Sequence, residues 1–109
     1  MHFTKLKRTK TLGLLFIDLE KGVTQSKIIK TLIDFYKNDD FVKILKANSL
    51  LSTNDVINSN NCFISVCKSK YKNKIIIISA IDNLIKGGAG QAVQNLNIKF
   101  NFPIKTALQ

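Results

Sequence analysis

The chain has 109 residues, 45% hydrophobic and 22% charged, which is the makeup of one globular domain and excludes disorder as the default; a domain of this size buries about 65% of its unfolded surface. Its 17 basic residues against 7 acidic give a formal charge of +10. Yet Arg8 is the only arginine and the lysines are spread along the chain, so the charge reads as a solvated basic surface, with no nucleic-acid partner expected.

Lys5, Lys7, Arg8 and Lys10 ahead of the apolar residues 12–17 imitate a signal peptide. The imitation fails, because Asp18 and Glu20 break the apolar part and no small-residue cleavage site follows. No apolar run approaches the roughly 20 residues that span a bilayer, so no membrane partner is expected, and the two cysteines, Cys62 and Cys67, read as reduced in a cytoplasmic compartment. Residues 12–19 are strand-compatible and predict a largely buried strand, punctuated by Glu20-Lys21-Gly22. Thr24 is placed to N-cap a helix over residues 25–37, with Ile28, Ile29, Leu32, Ile33, Phe35 and Tyr36 on one broad face. Asn38-Asp39-Asp40 stops it, and residues 41–45 suit a short strand.

Residues 47–61 are mostly Asn, Ser, Thr and Asp, whose side chains compete for the backbone, so a long connection with little regular structure is predicted. Residues 62–68 and 74–81 read as two strands of a hairpin joined by a lysine-rich turn. Within the second, Ile75 to Ile78 form a wholly apolar run that reads as buried on both faces. Cys62 and Cys67, five apart, fall on opposite faces of one strand and read as reduced small hydrophobes. With His2 the only histidine, neither a zinc set nor any other metal site is expected.

The least ordinary stretch is the last. Gly87, Gly88 and Gly90 surround Ala89, and Ala92, Val93, Leu96 and Phe100 then recur at helical spacing, predicting a helix from about residues 88–90 to 101 that Pro103 prevents from continuing. Free N–H groups at such an entrance admit an anion or a carboxamide oxygen; equally, the glycines are needed only for a tight turn. The P-loop pattern is absent, since Lys86 precedes the glycines and Gln91 follows them. The dinucleotide fingerprint is incomplete: Val93 occupies the third glycine position and no acidic residue follows Gly90. The order is β-α-β-β-β-α, an α+β fold with a mixed or antiparallel sheet and one covering helix.

The run Ala80-Ile81-Asp82-Asn83-Leu84-Ile85-Lys86-Gly87-Gly88-Ala89-Gly90-Gln91-Ala92-Val93-Gln94-Asn95-Leu96-Asn97, with Phe100 and Phe102-Pro103 after it, closely resembles the C-terminal end of the N-acetyl-γ-glutamyl-phosphate reductase family, a semialdehyde dehydrogenase group. Phe3-Thr4, Gly13 before an apolar strand, Gly22-Val23-Thr24, Phe35-Tyr36, Phe41-Val42 and Ser59-Asn60-Asn61-Cys62 resemble further family segments, in order. The resemblance implies thiolate attack on an acyl phosphate, a thioester, and hydride delivery from NADPH, in arginine biosynthesis. It also implies a division at residue 82, with 1–82 a partial catalytic and dimerisation domain and 83–109 a returning helix that packs on a Rossmann domain. By the same resemblance Asn83 is the candidate partner for the cofactor carboxamide, and Lys86, Gly87, Gly88, Gly90 and Gln91 line the cofactor edge.

Departures are as informative. Lys5-Leu6-Lys7 replaces the family's Pro-His-Leu, and Leu12 stands where an arginine precedes the glycine. The family's nucleophilic cysteine, catalytic histidine and dinucleotide domain lie upstream of the matched region, so no catalytic residue is assigned here, and Cys62 matches a hairpin position instead. The chain is then expected to be inactive alone and to bind NADP only with a complementing N-terminal dinucleotide-binding portion, present as a separate chain or otherwise, within a homo-oligomer. The competing reading is a non-enzymatic basic module for oligomerisation or nucleic-acid binding.

Overall fold

The computed structural model describes residues 10–108, with side chains from Leu12 onward. The family segment Phe3-Thr4, the lone His2 and the basic residues Lys5, Lys7 and Arg8 lie outside the described residues. Four strands form one mixed sheet in the order β1-β4-β3-β2. They are β1 (Lys10–Asp18), β2 (Val42–Ile44), β3 (Cys62–Lys68) and β4 (Lys74–Asp82), with helices α1 (Gln25–Tyr36) and α2 (Gly90–Lys99). β4 is the central strand, antiparallel to β1 from Lys10↔Asp82 to Asp18↔Lys74 and to β3 from Cys62↔Ile81 to Lys68↔Ile75, while β2 runs parallel to β3. The α+β architecture and the β-α-β-β-β-α order predicted from the sequence are therefore present.

Local chemistry explains the boundaries. Thr24 Oγ1 accepts from Lys27 N at 3.2 Å and caps α1. Asp39 Oδ1 accepts from the amides of Phe41 and Val42 (2.9 and 3.2 Å), which turns the chain into β2. At the far end of α2, Asn101 takes φ 55°, Phe102 N donates to Asn97 O at 2.8 Å and Asn101 N to Ile98 O at 3.3 Å, a Schellman-type stop just before Pro103. Asn97 Nδ2 then donates to Ile104 O and Thr106 O, folding the tail back so that Leu108 is buried.

The connection before β3 is less irregular than its composition suggests. Thr53–Val56 form a 3₁₀ turn with a Ser52/Asp55 capping box, and Val56 is fully buried. Upstream, Leu45 N and Asn48 N donate to Ile64 O and Val66 O, and Ser49 O accepts from Ser65 Oγ at 2.6 Å, so this segment closes the outer edge of β3 and covers the face bearing Ser65. The polar side chains bond to specific backbone groups, which is how such a sequence becomes ordered.

Two sequence-based expectations on burial fail. β1 is not a largely buried strand: Leu12, Leu14, Leu15 and Phe16 are 46 to 69% exposed. It is an edge strand, while α1 packs on β2 and β3 at the other side of the sheet. Of the four consecutive isoleucines of β4, Ile75 is buried and Ile76 to Ile78 only half-buried. On α1, Ile28, Ile29, Leu32 and Tyr36 are half-buried, but Ile33 and Phe35 face solvent. The core proper is small: Phe41, Val56, Val66, Ile75, Ala80 and Leu108, with Asn60, Ser65, Asp82, Gln94 and Asn97 among them.

Candidate functional site at the end of the central strand

β4 ends in a buried carboxylate. Asp82 accepts from Leu84 N at 3.1 Å through Oδ1 and from Asn58 N at 2.9 Å through Oδ2, so the turn leaving the sheet is tied to the loop entering β3. α2 begins at Gly90, where the glycines place it, but the turn ahead of it is already hydrogen-bonded. Ile85–Ala89 form a single π-helical turn that runs into α2, with Ala89 N donating to Leu84 O and Gly90 N to Ile85 O. The free amides expected at Ala89 and Gly90 are thus consumed by the helix itself, which corrects the reading of residues 88–90 as an open N-terminus. A π turn of this kind is a frequent mark of a functional position.

The predicted site residues divide into two groups. Asn83, Gly87 and Gly88 are exposed on the outer rim. The Asn83 side chain lies over Gly87, where an added Cβ would overlap Asn83 Oδ1, whereas Gly88, at the kink (φ −144°, ψ −112°), has only Asn83 O within contact, at 3.5 Å. Gly90 and Lys86 turn inward. Gly90 is buried, and a Cβ there would sit 2.5 Å from Asn60 Oδ1. Lys86 Nζ donates to Gln94 Oε1 at 2.8 Å and lies 5.0 Å from the centre of the Phe41 ring. Gln91, half-exposed, donates to Asn95 Oδ1 at 2.9 Å along the helix.

The chemistry of the turn can be set against the carboxamide edge of a nicotinamide cofactor. An exposed primary amide that can donate and accept stands beside glycines that leave room for close approach, which suits a carboxamide edge. Nothing in the rim supplies the cationic or amide cradle that a pyrophosphate requires.

α2 reverses the expected polarity. Its buried residues are Gly90, Gln94 and Asn97, while Leu96, Ile98 and Phe100 are exposed, as is Phe102 beyond it. The apolar recurrence at Ala92, Val93, Leu96 and Phe100 is real but is not the buried face, which meets Asn60 and the C-terminal tail. The buried stripe at positions 90, 94 and 97 has the same helical spacing but carries polar side chains and glycine, so hydropathy does not mark it. Asn60, within the Ser59-Asn60-Asn61-Cys62 segment, and Gln94 are the residues that residue-type reasoning missed. Asn60 Nδ2 donates to Gln94 Oε1 at 2.9 Å.

The cysteines offer no nucleophile. Burial pushes the Cys62 thiol above its ordinary value, Lys86 opposing and Asp39 reinforcing the rise. Cys67 Sγ lies 3.6 Å from Ser49 O and from Ser65 Oγ, and both cysteines are free. Neither has a histidine beside it among the described residues, so no activated pair is assembled there. Among the described residues no group of three His, Cys, Asp or Glu could hold a metal ion, and no helix is long and apolar enough to cross a membrane. The groove of about 540 Å³ lined by Phe16, Ile76, Tyr71, Lys68, Lys70 and Lys74 lies at the opposite end of β4 from the glycine turn.

Comparison with known proteins matches residues 4–83 to the family described as semialdehyde dehydrogenase, dimerisation domain. A probable N-acetyl-γ-glutamyl-phosphate reductase, chloroplastic, of Oryza sativa subsp. japonica is 42% identical over 95 residues, 87% of this chain and 23% of the relative. An N-acetyl-γ-glutamyl-phosphate reductase of Thermoanaerobacter pseudethanolicus is 43% identical over 89% of this chain and 28% of the relative. A reductase of the same name from Desulforamulus reducens is 41% identical over 107 residues, 98% of this chain, so the likeness takes in the glycine turn and α2. The chain spans about a quarter to a third of the length of these curated relatives.

Proposed function

The chain belongs to the semialdehyde dehydrogenase family, by way of its dimerisation domain, and we propose that it acts as that portion of an NADPH-dependent N-acetyl-γ-glutamyl-phosphate reductase. The reaction so assigned is reduction of N-acetylglutamyl phosphate to N-acetylglutamate semialdehyde, a step of arginine biosynthesis, in the cytoplasm. In this reading residues 1–82 belong to the catalytic and dimerisation domain and 83–109 to the returning helix and tail. The nucleophile and the dinucleotide-binding portion come from protein outside these 109 residues, in the same polypeptide or in a second chain.

One observation carries this reading. The exposed rim of Asn83, Gly87 and Gly88 and the outward apolar face of α2 occur together, on a helix whose polar side is the one buried at home. Burying a Leu or Phe is worth about 1.5–3 kcal/mol, so Leu96, Phe100 and Phe102 are the natural footing for a second protein body beside the rim. Bound NADPH would supply the hydride. Asn83 would orient the carboxamide, and the apolar face of α2, once covered, would exclude water from that edge. β1, with its exposed leucines, is the second unpartnered surface and serves homo-oligomerisation.

The test is NADPH oxidation with N-acetylglutamyl phosphate, with and without an added dinucleotide-binding portion carrying the nucleophilic cysteine. No turnover by the 109-residue chain and turnover on complementation are expected. Turnover by the chain alone, or no rescue, would contradict the assignment. Self-association without any NADPH binding in the complemented sample would favour the oligomerisation module instead, a reading that the exposed β1 also supports.

A further inference from the structure

Asn60 is 1% exposed, and its Oδ1 has no hydrogen-bond partner. An unsatisfied buried oxygen costs about 1–3 kcal/mol, so a residue that carries one is retained for something its other atoms do. Its Nδ2 donates to Gln94 Oε1, the oxygen that also accepts from Lys86 Nζ. Two donors from different elements therefore converge on one carbonyl. That oxygen must point away from solvent for both bonds to form, and the Asn60 donor fixes which way round the Gln94 amide sits.

Lys86 is the only cation between Asn83 and Gln91. Its neighbours in these contacts are neutral: an amide oxygen on one side and the face of Phe41 on the other. With neutral groups in its direct contacts, the ammonium is placed by hydrogen-bond geometry. The unsatisfied Oδ1 lies against Gly90, close enough that no side chain fits there, so the same residue also seats the first turn of α2.

We infer that Asn60 is a positioning residue: through the Gln94 amide it fixes where Lys86, the one cation of the glycine turn, is held. This rests on the reading of that turn as a cofactor edge only for its purpose; the positioning itself concerns the chain alone. The consequence is that the rim presents glycine and the Asn83 amide to the outside, with the ammonium turned in towards Phe41.

The test uses Asn60→Asp in the full chain, followed by NMR. In the wild type the Lys86 ε-methylene protons, next to an Nζ 5.0 Å from the centre of the Phe41 ring, should be displaced upfield by the ring current. While protonated, the introduced carboxyl group keeps an O–H donor for Gln94 Oε1. Once ionised it has none, and the Gln94 amide then turns its Nε2 towards the carboxylate and takes the acceptor away from Lys86. The ionisable groups nearby are Lys86 itself, Cys62 with Asp39 beside it, and Asp82, which holds the Asn58 amide; all are present in the wild type, whose profile over the same acidic range is the control.

In Asn60→Asp the Lys86 displacement is expected to be wild-type at low pH and mostly lost as pH rises through the titration of the introduced carboxyl group. A displacement that stays wild-type at every pH would mean that Asn60 only fills space, and one already lost at low pH would mean that a donor at this position does not hold Gln94; either would overturn the inference. Gln94→Leu, which removes the shared acceptor without adding charge, should abolish the displacement at all pH values while the β1–β4 register contacts persist; an unchanged Lys86 signal in that variant would equally overturn it. Failure of the complemented protein to bind NADPH would count against the cofactor reading and leave this result standing.

Discussion

β1 and β3 both pair with β4 along its length, yet they live in different surroundings. Leu14, Leu15 and Phe16 of β1 stand more than half exposed, while Ser65 and Val66 of β3 are completely buried. Composition would order them the other way. What separates them is cover: α1 packs on the β2–β3 side and residues 45–49 bond along β3, whereas β1 lies at the edge of the sheet away from α1. Burial in a small sheet follows position and cover before hydropathy, and an apolar strand left bare marks a surface that another body should occupy.

The comparison can be broken first at its buried end. Ile75→Ala removes a side chain packed at the β3–β4 pairing and should cost about 2–5 kcal/mol in urea unfolding; a cost below about 1 kcal/mol would mean that this is not the core. Asp82→Ala, which strips the acceptors from Asn58 N and Leu84 N, should cost about 1–3 kcal/mol and raise hydrogen exchange at those two amides. Thr24→Ala should cost about 1 kcal/mol through the lost cap of α1.

At the bare end, Leu14→Ser with Phe16→Ser should change unfolding free energy by no more than about 0.5 kcal/mol per site while abolishing self-association in sedimentation. Strong destabilisation there would show that β1 is core after all. The smallest effect concerns pH. Because folding raises the Cys62 pKa, the folded state holds that proton more tightly; the resulting stabilisation is present below the unfolded thiol's titration and lost as pH rises through the folded one. Alkaline unfolding curves of the wild type and Cys62→Ser should therefore converge, and alkylation of Cys62 should lag behind that of a free thiol.

Much of the fold could be read in the residues. The cap at Thr24, the hairpin of residues 62–82 and the stop before Pro103 are local chemistry, and each lies within a residue or two of its expected place. The site was legible in part. The glycine run marked where the chain passes from β4 to α2, but Asp82 ties that turn to the loop before β3 by a contact spanning 24 residues, which no local pattern announces. The buried polar stripe of α2 runs against hydropathy, which reports which face wants burial, not which body supplies it. Asn60 and Gln94 meet across 34 residues and carried no local signal.

The central claim is that the turn at Asn83 closes over a cofactor held by protein outside these residues. Its most direct test is the NADPH dissociation constant of the chain complemented with a dinucleotide-binding portion, compared between wild type and Asn83→Ala. Asn83 is exposed, so the fold should be unaffected. Loss of one hydrogen bond to the carboxamide predicts binding about tenfold weaker. Equal affinity in the two proteins, with both correctly folded, would contradict the account.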